Sequence, residues 1–186
     1  MNVDTLLSNP SIHMSGLYNL DEGEYATTLA TLAEWGDPKA QHNLAAMYLE
    51  GLELPLDYAA AIHWHRQAAE QGFAPAQHDL GTMYLEGLGV TPDPEAAAHW
   101  FLAAARQGDA KAQNNLGILH ATGEGVPQEM IQARAWFLLA AQNGLMDALE
   151  NLQLSSEEMT PEELRQAEAL ASEWSEAQRA AHPNHA

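Results

Sequence analysis

The chain has 186 residues, no cysteine, and seven Lys+Arg against 26 Asp+Glu, a formal charge of −19. That length fits one domain with a sizeable core, and the missing cysteine excludes disulfides, thiolate zinc sites, iron–sulfur clusters and a cysteine nucleophile. The charge argues against nucleic acid and anionic lipid, which call for clustered Lys and Arg, and makes a basic protein the natural electrostatic partner.

Taken in order, residues 1–17 read as a tail, and residues 1–20 lack the basic n-region and apolar h-region of a secretory signal. The expected location is cytoplasmic for a full gene product, and periplasmic or secreted if a signal has been removed. No apolar run reaches the ~18–20 residues of a membrane-spanning helix, so no membrane insertion is expected. Residues 18–35 read as an N-terminal capping segment. Its helix runs from Asp21 to Trp35, with Asp21 as N-cap and Glu24 in the capping-box position.

From there the chain repeats itself. Gly36, Gly72, Gly108 and Gly144 are spaced by 36 residues, as are Ala40, Ala76, Ala112 and Ala148, and Leu44, Leu80, Leu116 and Leu152. Gly51, Gly87 and Gly123 keep the period through three copies, as do Trp64, Trp100 and Trp136, and Ala69, Ala105 and Ala141. These columns divide the chain into units 36–71, 72–107 and 108–143 and a partial unit 144–153. Each unit reads as two helices. In the first copy one runs from about Asp37 to Glu50 with Ala40, Leu44, Ala45 and Met47–Tyr48 on its apolar stripe, and Gly51 stops it. The other runs from about Asp57 to Gln71 with Ala61, Trp64, Ala68 and Ala69 on one side. In the second copy Asp93-Pro94-Glu95 supplies an N-cap, a first-turn proline and a favourable acid. Neither helix can bury its stripe alone, so neighbouring pairs must stack. Alanine, at 34 residues, favours helix and lets helices approach closely. Residues 154–180 read as a C-terminal capping segment whose helix opens at Thr160-Pro161-Glu162-Glu163 and turns Leu164, Ala167, Ala171 and Trp174 inward; 181–186 read as a tail. The predicted fold is an all-α, right-handed solenoid with capping helices.

These columns resemble the Sel-one-like repeat family, relatives of the tetratricopeptide repeats. The clearest copy runs from Ala76 to Val90 through Leu80-Gly81, Met83-Tyr84 and Gly87-Leu88-Gly89, followed by Trp100 and Ala104–Ala105. The next copy keeps Leu116-Gly117 and Gly123-Glu124-Gly125-Val126 but carries Leu119-His120 for Met-Tyr; the first has Ala45 for the glycine and Leu52-Glu53-Leu54 in its loop. The resemblance implies partner binding and scaffolding. Chemistry is sparse beside it. There is no Gly-Lys-Ser/Thr, His-Glu-x-x-His or Gly-x-Ser-x-Gly. No serine precedes a lysine by three residues, the pairing that β-lactam chemistry in some relatives would use. No enzyme activity and no cofactor are expected.

If first helices line the concave side, as in tetratricopeptide proteins, the groove-facing positions are His42, Asn43, Ala46 and Glu50; His78, Asp79, Thr82 and Glu86; Asn114, Asn115, Ile118 and Thr122; and Glu150 and Asn151. Asn43, Asp79, Asn115 and Asn151 then form a ladder with two readings: hydrogen bonds to an extended peptide, or bonds to a neighbouring turn. His42 and His78 share a position, but adjacent helices lie 8–10 Å apart and one ion needs its ligands much closer, so no metal is expected there. His63 and His99 read as exposed or partly packed, Met47 and Met83 as core, and the Trp column as inter-repeat packing. Acid concentrates at the ends: residues 1–35 carry five acids and no base, and 144–186 nine acids and two bases. That is either a solvated cap or a surface for a basic partner. The expected function is monomeric, non-catalytic recognition of a protein or peptide. Two alternatives remain: an acidic immunity or inhibitor protein against a basic bacterial toxin, and a hydrolase or ligand-binding protein.

Overall fold

A computed structural model describes residues 22–181. Among these there are nine helices and no strand. Helix α1 (Glu22–Glu34) leads. Three pairs follow: α2 (Pro38–Glu50) with α3 (Tyr58–Glu70), α4 (Ala74–Glu86) with α5 (Pro94–Ala105), and α6 (Ala110–Thr122) with α7 (Met130–Gln142). Helices α8 (Ala148–Glu158) and α9 (Pro161–Ala181) close the stack. Of the tail read at 181–186, Ala181 ends α9; the rest of it, the tail at 1–17, Asp21 and the Glu24 side chain lie outside the described residues, and the capping box placed at Asp21 and Glu24 lies with them.

The punctuation written in the sequence sets the helix ends. The Asp37, Asp57, Asp93 and Asp109 carboxylates each accept from a first-turn backbone N–H, which satisfies donors that have no partner inside the helix. Gly51, Gly87 and Gly123 end the first helices in the left-handed region, at φ 67°, 74° and 77°. Thr160 and Glu163 form the reciprocal box: the Glu163 carboxylate accepts from Thr160 N at 2.8 Å, and Glu163 N donates back to Thr160 Oγ1 at 3.3 Å. The closing helix begins at Pro161, where the Thr160-Pro161-Glu162-Glu163 signal places its start. No glycine interrupts the preceding helix, so α8 continues to Glu158 before Met159 turns extended.

The loop of the first pair holds an exception. Gly89 and Gly125 sit at φ 76° and 71°, and a Cβ on either would meet the start of the preceding second helix, Tyr58 at 2.8 Å and Pro94 at 2.4 Å. Glu53 takes the same place at φ 60°. Glu53 holds the left-handed geometry without glycine, and the next residue, Leu54, packs against the core that α1 shares with α2.

The core is continuous. Ala40, Ala76, Ala112 and Ala148 are wholly buried, and Leu44, Leu80 and Leu116 lie beside them. Met47 and Met83 are core residues as well. Trp64 packs with Leu29 and Leu44, and Trp100 with Ala61 and Met83, so each indole joins one unit to the elements before it. Trp136 is buried and stacks on Trp174 of α9 at 4.2 Å between ring centroids, while Ala167 and Ala171 bury the same side of the cap.

A second, polar column runs through this core. Gln41, Gln77 and Gln113 are buried, and their amides donate to the carbonyls of Ala33, Ala69 and Ala105 at 3.0, 3.0 and 3.1 Å. Each also accepts from the end of its own pair: Gln71 to Gln41, Gln107 to Gln77 and Asn143 to Gln113, at 2.8, 2.7 and 2.9 Å. One side chain per unit thus ties the C-terminus of the preceding helix to the C-terminus of its own pair, where carbonyls lack intrahelical partners.

Candidate functional site

The first helices α2, α4, α6 and α8 share one face, and the polar residues on it join unit to unit. His42 Nδ1 approaches Asp79 Oδ2 at 3.5 Å, Asn115 Nδ2 lies 3.5 Å from His78 Nε2, and Asn151 donates to Asn114 Oδ1 at 2.8 Å. In every case the partners are 37 residues apart. His42, His78 and Asn114 occupy one column of the repeat and Asp79, Asn115 and Asn151 the next, so each contact joins a unit to the one that follows. Of the two readings of the Asn ladder, the contacts go to neighbouring helices, so Asn115, Asn151 and Asp79 already have protein partners. Asn43 stands where the ladder starts, with no earlier unit. Thr82 donates to the His78 carbonyl at 3.3 Å. Glu50, Glu86, Ile118, Thr122 and Glu150 are the exposed members of the set.

At its N-terminal end the ladder becomes a histidine–aspartate cluster. His65 of α3 is 0 % exposed, and neither ring nitrogen has a hydrogen-bond partner. Its Nε2 lies 4.0 Å from Asp79 Oδ2, and its ring sits 5.3 Å from that of His42. His42 Nδ1, also buried, approaches the same oxygen without hydrogen-bond alignment. The second carboxylate oxygen is engaged differently: His78 Nδ1 meets Asp79 Oδ1 at 2.9 Å. Because Asn115 offers an amide N–H to His78 Nε2, a neutral His78 carries its proton on Nδ1 and donates it to Asp79. Asp79 thus keeps Oδ2 directed at His42 and His65.

Burial sets the protonation of the group. It pushes the His65 imidazole down to about 4, against the pull of the Asp79 carboxylate. Burial also lowers His42, with Asp79 opposing. For Asp79, burial works against ionisation, but the His78 hydrogen bond and attraction to the surrounding imidazoles outweigh it and hold the carboxyl below its ordinary range. At neutral pH the cluster is two neutral imidazoles and one carboxylate, with one donor atom from each of His42, His65 and Asp79 within 4.8 Å of the others. Its open side faces a shallow depression of 420 Å³, shared with His78, Lys111 and Asn143. The expectation of no metal rested on His42 with His78; the structure instead brings His42 to His65 of the paired helix.

His65 belongs to no column of matching residues, so the repeat pattern does not mark it. It occupies the column of Phe101 and Phe137, both buried. The signal was a paired mismatch. In the later units a Cβ on Gly81 would lie 2.7 Å from the Phe101 ring, and one on Gly117 2.5 Å from Phe137. The first unit has Ala45 and His65 at these places. A five-membered ring is smaller than a phenyl and leaves room for the methyl group. His63 and His99 are exposed and lie edge-to-face against Trp64 and Trp100 at 5.0 and 5.2 Å.

The repeat geometry identifies the family. The Sel1 repeat profile matches residues 38–73, 74–109 and 110–145, more than half of the chain. The chain is a Sel1 repeat protein. Sel1 repeat proteins generally mediate protein–protein interaction and are typically non-catalytic scaffolds. Among solved structures, the Sel1 chain resembles a protective antigen of uropathogenic Escherichia coli with this repeat fold, at 33% identity and TM-score 0.78 over 89% of this chain and 37% of that one. It also resembles a Sel1 repeat protein from Oxalobacter formigenes, at 34% identity and TM-score 0.67, over 70% of this chain and 54% of that one. The chain therefore spans about a third and about half of the lengths of these two relatives. No functionally curated protein matches it.

Proposed function

We propose that this Sel1 repeat protein is a non-catalytic adaptor that grips a basic protein or peptide across the face of its first helices. The supporting observation is the division of labour on that face. The amides and Asp79 are spent on unit-to-unit contacts, whereas Glu50, Glu86 and Glu150 remain exposed on three of the four first helices, α2, α4 and α8. With a formal charge of −19 behind them, these carboxylates steer and orient a cationic surface. The stack holds them in a preformed array, which limits the ordering cost of binding. The absence of a nucleophile–base motif in the sequence supports a scaffold over a hydrolase.

The test is capture of partners from source lysate by the wild-type chain and by a Glu50→Lys, Glu86→Lys, Glu150→Lys variant, each at low and moderate salt. A basic protein retained by wild type, lost from the variant and weakened by salt is the expected result. If the captured protein is a toxin whose activity falls on binding, the adaptor is an inhibitor of the immunity type. Retention that ignores both the charge reversal and salt sinks the proposal.

A further inference from the structure

We propose that His42, His65 and Asp79 form a binding site for a divalent transition cation of the zinc class, joining the first repeat to the second. Three independent observations carry this. The donors come from three successive helices, α2, α3 and α4, and converge: Asp79 Oδ2 is 3.5 Å from His42 Nδ1 and 4.0 Å from His65 Nε2. Donors around tetrahedral zinc stand about 3.3 Å apart, given bonds of about 2.0–2.1 Å, and the three donors here lie within 4.8 Å of one another, so side-chain rotations that draw the group in by up to about 1.5 Å complete the shell. Second, His65 is fully buried with both nitrogens unpartnered. Buried polar side chains nearly always find a partner, and one left without stands in need of a ligand. Third, the departures from the repeat fall together in space. His65 replaces the phenylalanine of the other units, Ala45 replaces their glycine, and Asp79 replaces the asparagine at 43, 115 and 151. A packing variation would exchange one apolar residue for another; this set installs an imidazole and an anionic oxygen beside His42.

The surroundings fit the same occupant. Two imidazoles and one carboxylate suit zinc and its neighbours, whereas calcium and magnesium prefer an all-oxygen shell. His78 holds Asp79 Oδ1 and is itself held by Asn115, an outer layer that leaves Oδ2 for the ion. The fourth coordination position opens onto the 420 Å³ depression, where water completes the shell. Zinc binding here stands apart from partner capture, since Glu50, Glu86 and Glu150 are not ligands.

The test is calorimetric titration of zinc chloride into the chelator-stripped full chain, with cobalt absorption as the second readout. The expected result is one equivalent bound per chain, visible d–d bands from a four-coordinate cobalt site, and a melting temperature raised by zinc. Two variants copy the other repeats, so both keep the fold: Asp79→Asn, and His65→Phe with Ala45→Gly. Each should weaken zinc by more than the roughly 10–100-fold that outer-layer changes cost. Removing the exposed imidazoles, His63→Ala with His99→Ala, should leave the one-equivalent binding intact. Absence of one-equivalent binding, or binding unchanged in both repeat-matched variants, overturns the proposal. So does binding abolished by the His63 and His99 changes.

Discussion

The first unit and the second lay nearly the same backbone over different interiors. In the second, Phe101 fills the space between helices and Gly81 makes room for it; the third repeats this with Phe137 and Gly117. In the first, His65 occupies that space with neither nitrogen satisfied, and the acid of the neighbouring helix is turned toward it. The comparison teaches that the pair geometry does not depend on which ring is enclosed. It depends on the sum of ring and facing residue: glycine with phenylalanine, alanine with histidine. An imidazole left unpartnered costs about 1–3 kcal/mol, and the second and third units show that an apolar solution was open to the first. The histidine is therefore there for its nitrogens.

Acid should break the comparison most strongly. In metal-free protein, His65 titrates at about 4 when folded and near 6.5 when unfolded. The unfolded chain takes the proton more readily between those values, so stability is lost as pH falls from about 6.5 to about 4. The loss is about 3 kcal/mol, and the lowered His42 adds to it with the same sign. Urea midpoints across that range should slope in wild type and slope less in the His65→Phe, Ala45→Gly variant, which keeps only the His42 contribution. Gly117→Ala attacks the other partner of the comparison, because its new methyl meets Phe137 at 2.5 Å; destabilisation of about 2–3 kcal/mol by urea unfolding is expected. The reverse change in the first unit, Ala45→Gly alone, should cost only the roughly 1 kcal/mol of a helical glycine.

What the units share supplies the control. Gln77→Leu strips a buried donor from the Ala69 carbonyl and an acceptor from Gln107, at about 2 kcal/mol, read at one pH since no titrating group is touched. The smallest effect is a gain. Glu53→Gly relieves a left-handed glutamate at φ 60° and should raise stability by about 1 kcal/mol, seen as a small rise in melting temperature.

Most of the architecture was legible in sequence because repetition made each signal visible several times over. Asp before a helix and Gly after it gave bounds within a few residues, and the Ala, Leu and Trp columns gave the stack. The site was less legible. Which polar residues face a partner and which face the next unit is decided by the 37-residue offset between stacked first helices. No single helix displays that offset, so the sequence leaves Asn115 and Asn151 with two readings, and only the stacked helices show them paired. His65 was hidden for a different reason: imidazole and phenyl at equivalent positions do not register as a column. The Gln41, Gln77 and Gln113 column kept the period in plain sight, but glutamine is mostly a surface residue, and its burial follows from carbonyls that only the stacked helices bring within reach.

That glutamine column also bears on how such a chain can change over generations. Each joint uses one side chain, reaches only the adjoining unit and is made in the same way every time. Duplicating or deleting a whole 36-residue block would preserve the joint on either side of the cut. An array jointed in this manner can lengthen or shorten in whole steps beyond the second unit, leaving the His42, His65 and Asp79 cluster untouched while the remainder is fitted to a larger or smaller partner.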